Sequence, residues 1–248
     1  MPFLKCAFFA TMTKRYQKPN FDKILKTLVK RDLEDEEVEK SNRELLKKAG
    51  FKIYPPKKVI RIDTGKVIGV KNVLKIICKE IAEDHRFISI EGRSGTGKGS
   101  TAEGLRKNLN AIKISLGEIF RFLTHISKGN VEIDFEEVSR NLEYKYNGQR
   151  LHLYHAGENV SEKLFIELKS PELEKHIPKV ADKTQKIVIK FVDRELSKLR
   201  KVDKQIVIEG RGFALDFLPS DVRVKLTAHP KIRARRRHRQ KYDHRSPV

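Results

Sequence analysis

Five short apolar runs punctuate the chain: Val59-Ile60-Arg61-Ile62-Asp63, Phe87-Ile88-Ser89-Ile90, Ala111-Ile112-Lys113-Ile114, Gln205-Ile206-Val207-Ile208-Glu209 and Val222-Arg223-Val224-Lys225-Leu226. Their length and β-branched content predict strands. Between them the apolar positions recur at helical spacing. Phe21 to Val29 predicts a helix, which continues through a charged stretch from Lys30 to Lys48 with only Val38, Leu45 and Leu46 as apolar points and ends at Gly50. Val70 to Glu83 predicts an amphipathic helix with Val73, Leu74, Ile76, Ile77 and Ile81 inward, and further helices are expected over Thr101 to Leu109, from Ser115, from about Val180 to Leu199, and over Pro230 to Gln240. Leu142 to Tyr146 and Leu151 to Tyr154 instead alternate about Asn147-Gly148, a hairpin signal. Tyr54-Pro55-Pro56 reads as a turn or linker, and no internal repeat or low-complexity segment is present. Strands alternating with helices predict a parallel α/β sheet, whose ligands lie beyond the carboxyl ends of the strands. The segments after three of the strands, 92–100, 115–121 and 209–211, should therefore share one cleft.

The first of them is Gly92-Arg93-Ser94-Gly95-Thr96-Gly97-Lys98-Gly99-Ser100, followed by Thr101. Closely spaced glycines let the backbone turn its N–H groups to one point, the following helix adds a partial positive charge, and Lys98 adds a whole one. Together with the strand before it and the helix after it, this pattern predicts a phosphate-binding loop, the P-loop; the other reading is a structural Gly-rich turn. Gly99 follows the lysine and delays the hydroxyl to Ser100, as in nucleoside monophosphate kinases, whose loops it resembles.

Composition narrows the setting. A chain of 248 residues can bury a real core and suits one structural domain, possibly with an insert. No stretch approaches a membrane span. Cys6 and Cys78 make neither a disulfide framework nor a metal spacing, so a reducing cytoplasm is the expected location. The opening Pro2 to Ala10 is too short and too interrupted by Lys5 for a signal peptide; residues 1–19 are read as a poorly ordered leader, with Met12 as an alternative start. A net charge of +21 invites a nucleic-acid reading. No aromatic-interleaved basic platform supports it, so RNA is a secondary partner behind nucleotide phosphates and a monomer is expected.

Beyond the loop the chain resembles the cytidylate kinases. Gly117-Glu118-Ile119-Phe120-Arg121 is similar to the family's G-x-(I/M)-(Y/F)-R, Gly157-Glu158-Asn159-Val160-Ser161 to the GEDVS of its nucleotide-binding insert (about 142–180 here), and Glu209-Gly210-Arg211 to its DGRD. Ala228-His229-Pro230-Lys231-Ile232-Arg233-Ala234-Arg235-Arg236-Arg237 resembles ASPEERARRR, which opens the family's lid. The matches run in family order from about Phe87 to Gln240, after which the family's remaining lid, last strand and last helix are lacking. Residues 20–86 resemble that missing part: Lys30-Arg31-Asp32-Leu33-Glu34-Asp35 the lid signature RDxxDSxR, Val59 to Thr64 the strand AIxIDTT, and Val70 to Glu83 the helix. The resemblance implies a P-loop NTPase three-layer fold, circularly permuted, with its ends inside the lid (first half 230–248) and the family's own ends fused near Asp84-His85-Arg86. Adjacent termini and tolerant loops make this physically reasonable. The cut costs the covalent coupling between Arg233–Arg237 and Arg31. The other reading is an unrelated basic helical extension over residues 1–86.

What the resemblance implies chemically is phosphorylation of CMP or dCMP by ATP with Mg²⁺. Phosphoryl transfer between nucleotides relies on positioning and positive charge, because the attacking monophosphate is already ionised. The loop 92–101 and Lys98 would hold the β and γ phosphates; Ser100 and Glu209 would serve the metal. Gly117, Arg121 and Arg211 would hold the acceptor monophosphate, guanidinium matching phosphate bidentately. Arg31, Arg233, Arg236 and Arg237 belong to the lid, and since helix neighbours diverge, one or two of the arginines at 233, 235, 236 and 237 should close over ATP. The acids from Asp32 to Glu39 read as a solvated helix face, and the histidines as structural. Four positions depart from the family. Gly212 replaces the acid after GR, Phe165 an arginine after GEDVS, Ser115 an acid before G-x-I-F-R, and Val38 the last lid arginine, with Arg43 a candidate substitute. The resemblance implies that these positions help to hold the cytosine nucleotide. The alternatives are a kinase of another small phosphate acceptor, or a degenerate fold that binds nucleotide or RNA without turnover.

Overall fold

The computed structural model describes residues 21–163 and 167–242, so the leader, Phe165 and the last residues of the expected lid half lie outside it. In chain order the elements are α1 (Phe21–Lys48), β1 (Lys58–Asp63), α2 (Val70–Glu80), β2 (Phe87–Gly92), α3 (Lys98–Asn108), β3 (Ile112–Ser115), α4 (Leu116–Ser127) and α5 (Phe135–Arg140). Then come β4 (Leu142–Tyr146), β5 (Leu151–His155), β6 (Glu158–Asn159), α6 (Val160–Lys163), α7 (Pro171–Leu199), β7 (Ile206–Gly210), α8 (Gly212–Leu215), β8 (Val222–Thr227) and α9 (Pro230–Tyr242). The five expected strands form one parallel sheet in the order β1-β8-β2-β7-β3. β4, β5 and β6 form a separate antiparallel sheet.

The apolar runs are continuous because the inner strands are covered on both faces. On one face Ile88, Ile90, Val222, Val224, Ile60 and Ile62 pack with Val73, Leu74 and Ile77 of α2 and Ala102 and Leu105 of α3. On the other, Phe87, Ile112, Ile114, Ile206 and Ile208 join Ile119 and Leu123 of α4 and Val188 and Val192 of α7. The two helices α2 and α3 approach closely at Gly104, where a Cβ would lie 2.6 Å from Leu74 Cδ1. Ile76, expected inward, is exposed: Val73, Leu74 and Ile77 already fill the stripe, and Ile76 is a quarter-turn off it.

α1 is a single helix closed at Gly50 (φ 77°), with Gly50 N–H donating to Lys47 O and Phe51 N–H to Leu46 O. Of its expected apolar positions Leu28 and Leu46 are buried; Val38 and Leu45 are exposed. Asp32 and Asn42 are buried instead, Asn42 Nδ2 donating to Asp182 Oδ1 of α7 at 2.9 Å. α7 begins at Pro171 rather than near Val180. Ser170 caps it, Pro171 suits the first position, and Pro178 is accommodated on the exposed side. The hairpin turns at Asn147, whose Oδ1 accepts from Gln149 and Arg150 N–H, and it docks on α7 where Tyr144 N–H donates to Glu195 Oε2 at 3.0 Å. α5, not anticipated, is capped by Asp134, whose Oδ1 accepts from Glu137 N–H; six residues are too few to display periodicity.

Candidate active site

β2 delivers the chain into the P-loop through Gly92, Gly95 and Gly97 at φ 154°, 82° and 92°. A side chain at 92 would stand 2.5 Å from Leu226 O, so glycine is required there twice over. Thr96 is buried; its Oγ1 donates to Arg93 O at 2.8 Å and tightens the turn. Lys98 opens α3 and its Nζ reaches Arg93 O at 3.3 Å. Burial lowers the Lys98 pKa to about 8, against the pull of Glu209 and with the added push of Arg211, Arg237 and Arg121. These four neighbours place the sequence-predicted residues of all three strand ends, and of the lid, around one lysine.

Glu209, one residue before the end of β7, has its carboxylate 3.6 Å from where a Cβ on Gly99 would sit, beside the exposed Ser100. Among the described residues no group of three or more His, Cys, Asp or Glu could hold a metal. One hydroxyl and one carboxylate fit a hard cation that takes most of its ligands from phosphate and water. Thr101 differs from its expected place at the phosphate: its side chain is buried, and only its N–H serves the turn, donating to Gly97 O at 2.9 Å.

Arg121 folds back along α4, Nη1 donating to Gly117 O at 3.1 Å; a Cβ on Gly117 would lie 3.0 Å from that nitrogen. Arg211, at the start of α8, pairs with Asp35 and lies 4.0 Å from Glu39. Arg31 is partly buried, with Arg211 and Arg237 near it, Asp35 and Glu174 opposing them, and its Nε unpartnered. Burial lowers its pKa and that of Arg237, the latter against Glu174. Glu174 lies in the first turn of α7, ahead of the helix expected from about Val180.

The lid arginines divide by helix face. Arg233, Arg236 and Arg237, spaced i, i+3 and i+4, turn to the loop, and Arg235 is exposed. Arg237 Nε and Nη2 donate to Ser94 Oγ at 2.9 and 2.6 Å. Arg236 donates to Gly95 O at 3.2 Å and to both oxygens of Thr64. Arg233 is buried and pairs with Asp32. The expectation of a solvated acidic face on α1 is thus corrected. Asp32, Asp35, Glu36 and Glu39 share a stripe that meets Arg233, Arg93 and Arg211, while Glu34 and Glu37 face solvent.

The departures find partial answers. Gly212 leaves room for Glu91, whose Oε2 lies 3.1 Å from a would-be Cβ and which is held by Lys225 at 2.8 Å. Ser115 precedes α4 without capping it. Arg43, the candidate substitute for the last lid arginine, pairs with Asp216 at 2.6 Å and lies near Glu39.

A sequence model of the family described as cytidylate kinase matches residues 88–246. The cytidylate kinase of Mycoplasmopsis synoviae is 29% identical over 164 residues, covering 60% of this chain and 68% of that protein. That of Pelotomaculum thermopropionicum is 32% identical over 160 residues, covering 60% and 67%. A probable cytidylate kinase of Vairimorpha ceranae is 30% identical over 171 residues, covering 63% and 72%. The family match takes in the P-loop, α4, the insert, β7, β8 and α9, and leaves α1, β1 and α2 ahead of it. With well over half its length so matched, the chain belongs to the cytidylate kinase family of nucleoside monophosphate kinases and is a phosphotransferase.

Proposed function

We propose that the protein phosphorylates CMP or dCMP with ATP as donor and Mg²⁺ as the metal. The observation that carries this is the gathering of Arg121, Arg211 and Arg237 about Lys98, with Arg31 beside Arg211 and Arg237. Such crowding is unfavourable in a nucleotide-free protein and becomes favourable when a polyphosphate donor and a monophosphate acceptor enter together. Lys98 and the loop N–H groups bind the β and γ phosphates. Arg121 and Arg211 hold the acceptor phosphate, Arg211 exchanging Asp35 for it. Arg237 and Arg31 face the transferred group, whereas Arg233 and Arg236 hold the loop. Bound beside Ser100 and Glu209, Mg²⁺ would neutralise charge on the phosphate oxygens. No side chain needs to take a proton, so alignment and exclusion of water are the protein's main work.

Circular permutation is part of the same reading. About a third of the Mycoplasmopsis relative lies outside the 68% matched. β1 extends the sheet beside β8, α2 covers it against α3, and α1 lies against α9. These are the places a last strand, a last helix and a second half of the lid would take.

The test is ADP formation with ATP and Mg²⁺ and with CMP, dCMP, UMP, AMP and GMP offered separately. Turnover selective for CMP or dCMP supports the reading; turnover with another acceptor moves the specificity, and none from folded protein overturns it. The +21 charge and the changed acceptor positions favour one second reading, a nucleotide- or RNA-binding relic. It requires RNA retention that weakens with salt and survives Lys98→Ala.

A further inference from the structure

α1 and α9 come from opposite ends of the described chain, and the strongest tie between them is a single carboxylate. Asp32 accepts from Arg233 Nη1 at 3.2 Å and from Nη2, across 201 positions of sequence, with both side chains almost wholly buried. The same carboxylate lies 3.2 Å from Arg93 Nη1 of the P-loop, whose Nη2 reaches Glu36 at 3.1 Å. Arg233 completes the triangle: its Nη1 also donates to Ser94 O at 3.3 Å, and a Cβ on Gly95 would stand 3.0 Å from Arg233 Cβ and O.

We propose that Asp32 is a clasp that joins the two ends of the chain over the P-loop and fixes the loop's position through Arg233 and Arg93. It is a positioning residue, acting on the phosphate site through Arg233 and Arg93. α9 is held against the loop by what it meets there. A buried guanidinium is tolerated only while paired, so loss of the Asp32 charge drives Arg233 towards water and lifts α9 with it. Ser94 O and Gly95 O then lose the donors that face them from Arg233 and Arg236. With its carbonyls freed, the loop no longer keeps its N–H groups aimed at one point.

The clasp's effect on catalysis rests on the kinase reading, but its existence does not, so the test begins without substrate. Hydrogen exchange is followed on the full chain for Asp32→Asn, which keeps size and removes charge. Amides of α9 from Arg233 to Arg239 should exchange about tenfold faster or more, while β2 and β8 keep their protection. Unchanged α9 protection overturns the clasp, and so does equal loss through the whole sheet, which would make Asp32 a general stabiliser. If Asp32→Asn does not fold, Arg93→Gln carries the test: exchange at Ser94 to Gly97 should rise about threefold or more with α9 still closed. No change there overturns it. In turnover, Asp32→Asn should raise the KM for ATP about tenfold with a smaller loss in kcat, and Asp32→Glu should recover most of it. A wild-type protein with no turnover would sink the kinase reading and leave the exchange result standing.

Discussion

The P-loop and the helix pair above it both direct positive charge to one place, yet they are built in opposite ways. The loop is local: nine consecutive residues contain both its glycine turns and its lysine. The α1–α9 layer is assembled from the two ends of the described chain, and besides the few apolar residues it buries, such as Leu28, Leu46 and Ala234, it is tied together by arginine and carboxylate. α2, which packs beneath the sheet close to α1 in sequence, shows the contrast again, anchoring itself by Val73, Leu74 and Ile77. The layer should therefore give way directly when its charges change, and the loop only through the guanidiniums that the layer lays on its carbonyls.

The largest expected effect lies in the loop. Lys98→Ala should lower turnover by about a thousandfold or more, because it removes the whole charge that the P-loop itself brings to the transferred phosphate. The melting temperature should hold or rise. The folded pKa of Lys98, about 8, lies below the ordinary 10.5, so its charge costs stability below about pH 8 and the cost fades as the pH climbs towards 10.5. A fall of several degrees would mean that the lysine holds the fold together, and the contrast between loop and lid would blur.

Next in size is Ile77→Ala, which empties a fully buried position between α2 and the sheet. It should cost about 2–5 kcal/mol in denaturant unfolding. Loop and lid should be lost with the sheet in that transition, whereas Asp32→Asn releases the lid and loosens the loop with the sheet still folded. If Ile77→Ala were silent, the segment ahead of the family match would not be part of the folded core.

The smallest effect is a proton. Near pH 8 the Lys98 amine is about half protonated, and phosphates at the loop restore its charge, so ATP binding should take up as much as about half a proton. The uptake should vanish by about pH 6 and in Lys98→Ala. Calorimetric titration in buffers of different ionisation enthalpy measures it. Uptake that persists in the variant would assign the proton to another group.

The same contrast explains what the residues disclosed beforehand. β1, β2, β3, β7, β8 and the hairpin follow from apolar runs and one Asn-Gly pair, since strand burial and turn chemistry are local. Gly92, Gly95 and Lys98 were legible for the same reason. The lid was legible in its arginines but not in its partners. Nothing near Asp32 in sequence marks it as buried, because the residue that buries it is Arg233, at the other end of the chain. Glu174 was hidden by Pro178, which ordinarily reads as a helix break. Glu91 is not marked by its own sequence, because the gap it fills belongs to Gly212, far along the chain at the start of α8.

The central claim is that these cations carry a phosphoryl group from one nucleotide to another. Its most direct test is ³¹P NMR of ATP, Mg²⁺ and CMP with purified protein, followed to completion beside Lys98→Ala. The account predicts ADP and CDP appearing in equal amounts, without free phosphate, and neither in the variant. ADP with inorganic phosphate in place of CDP, or no change from folded wild-type protein, would contradict it.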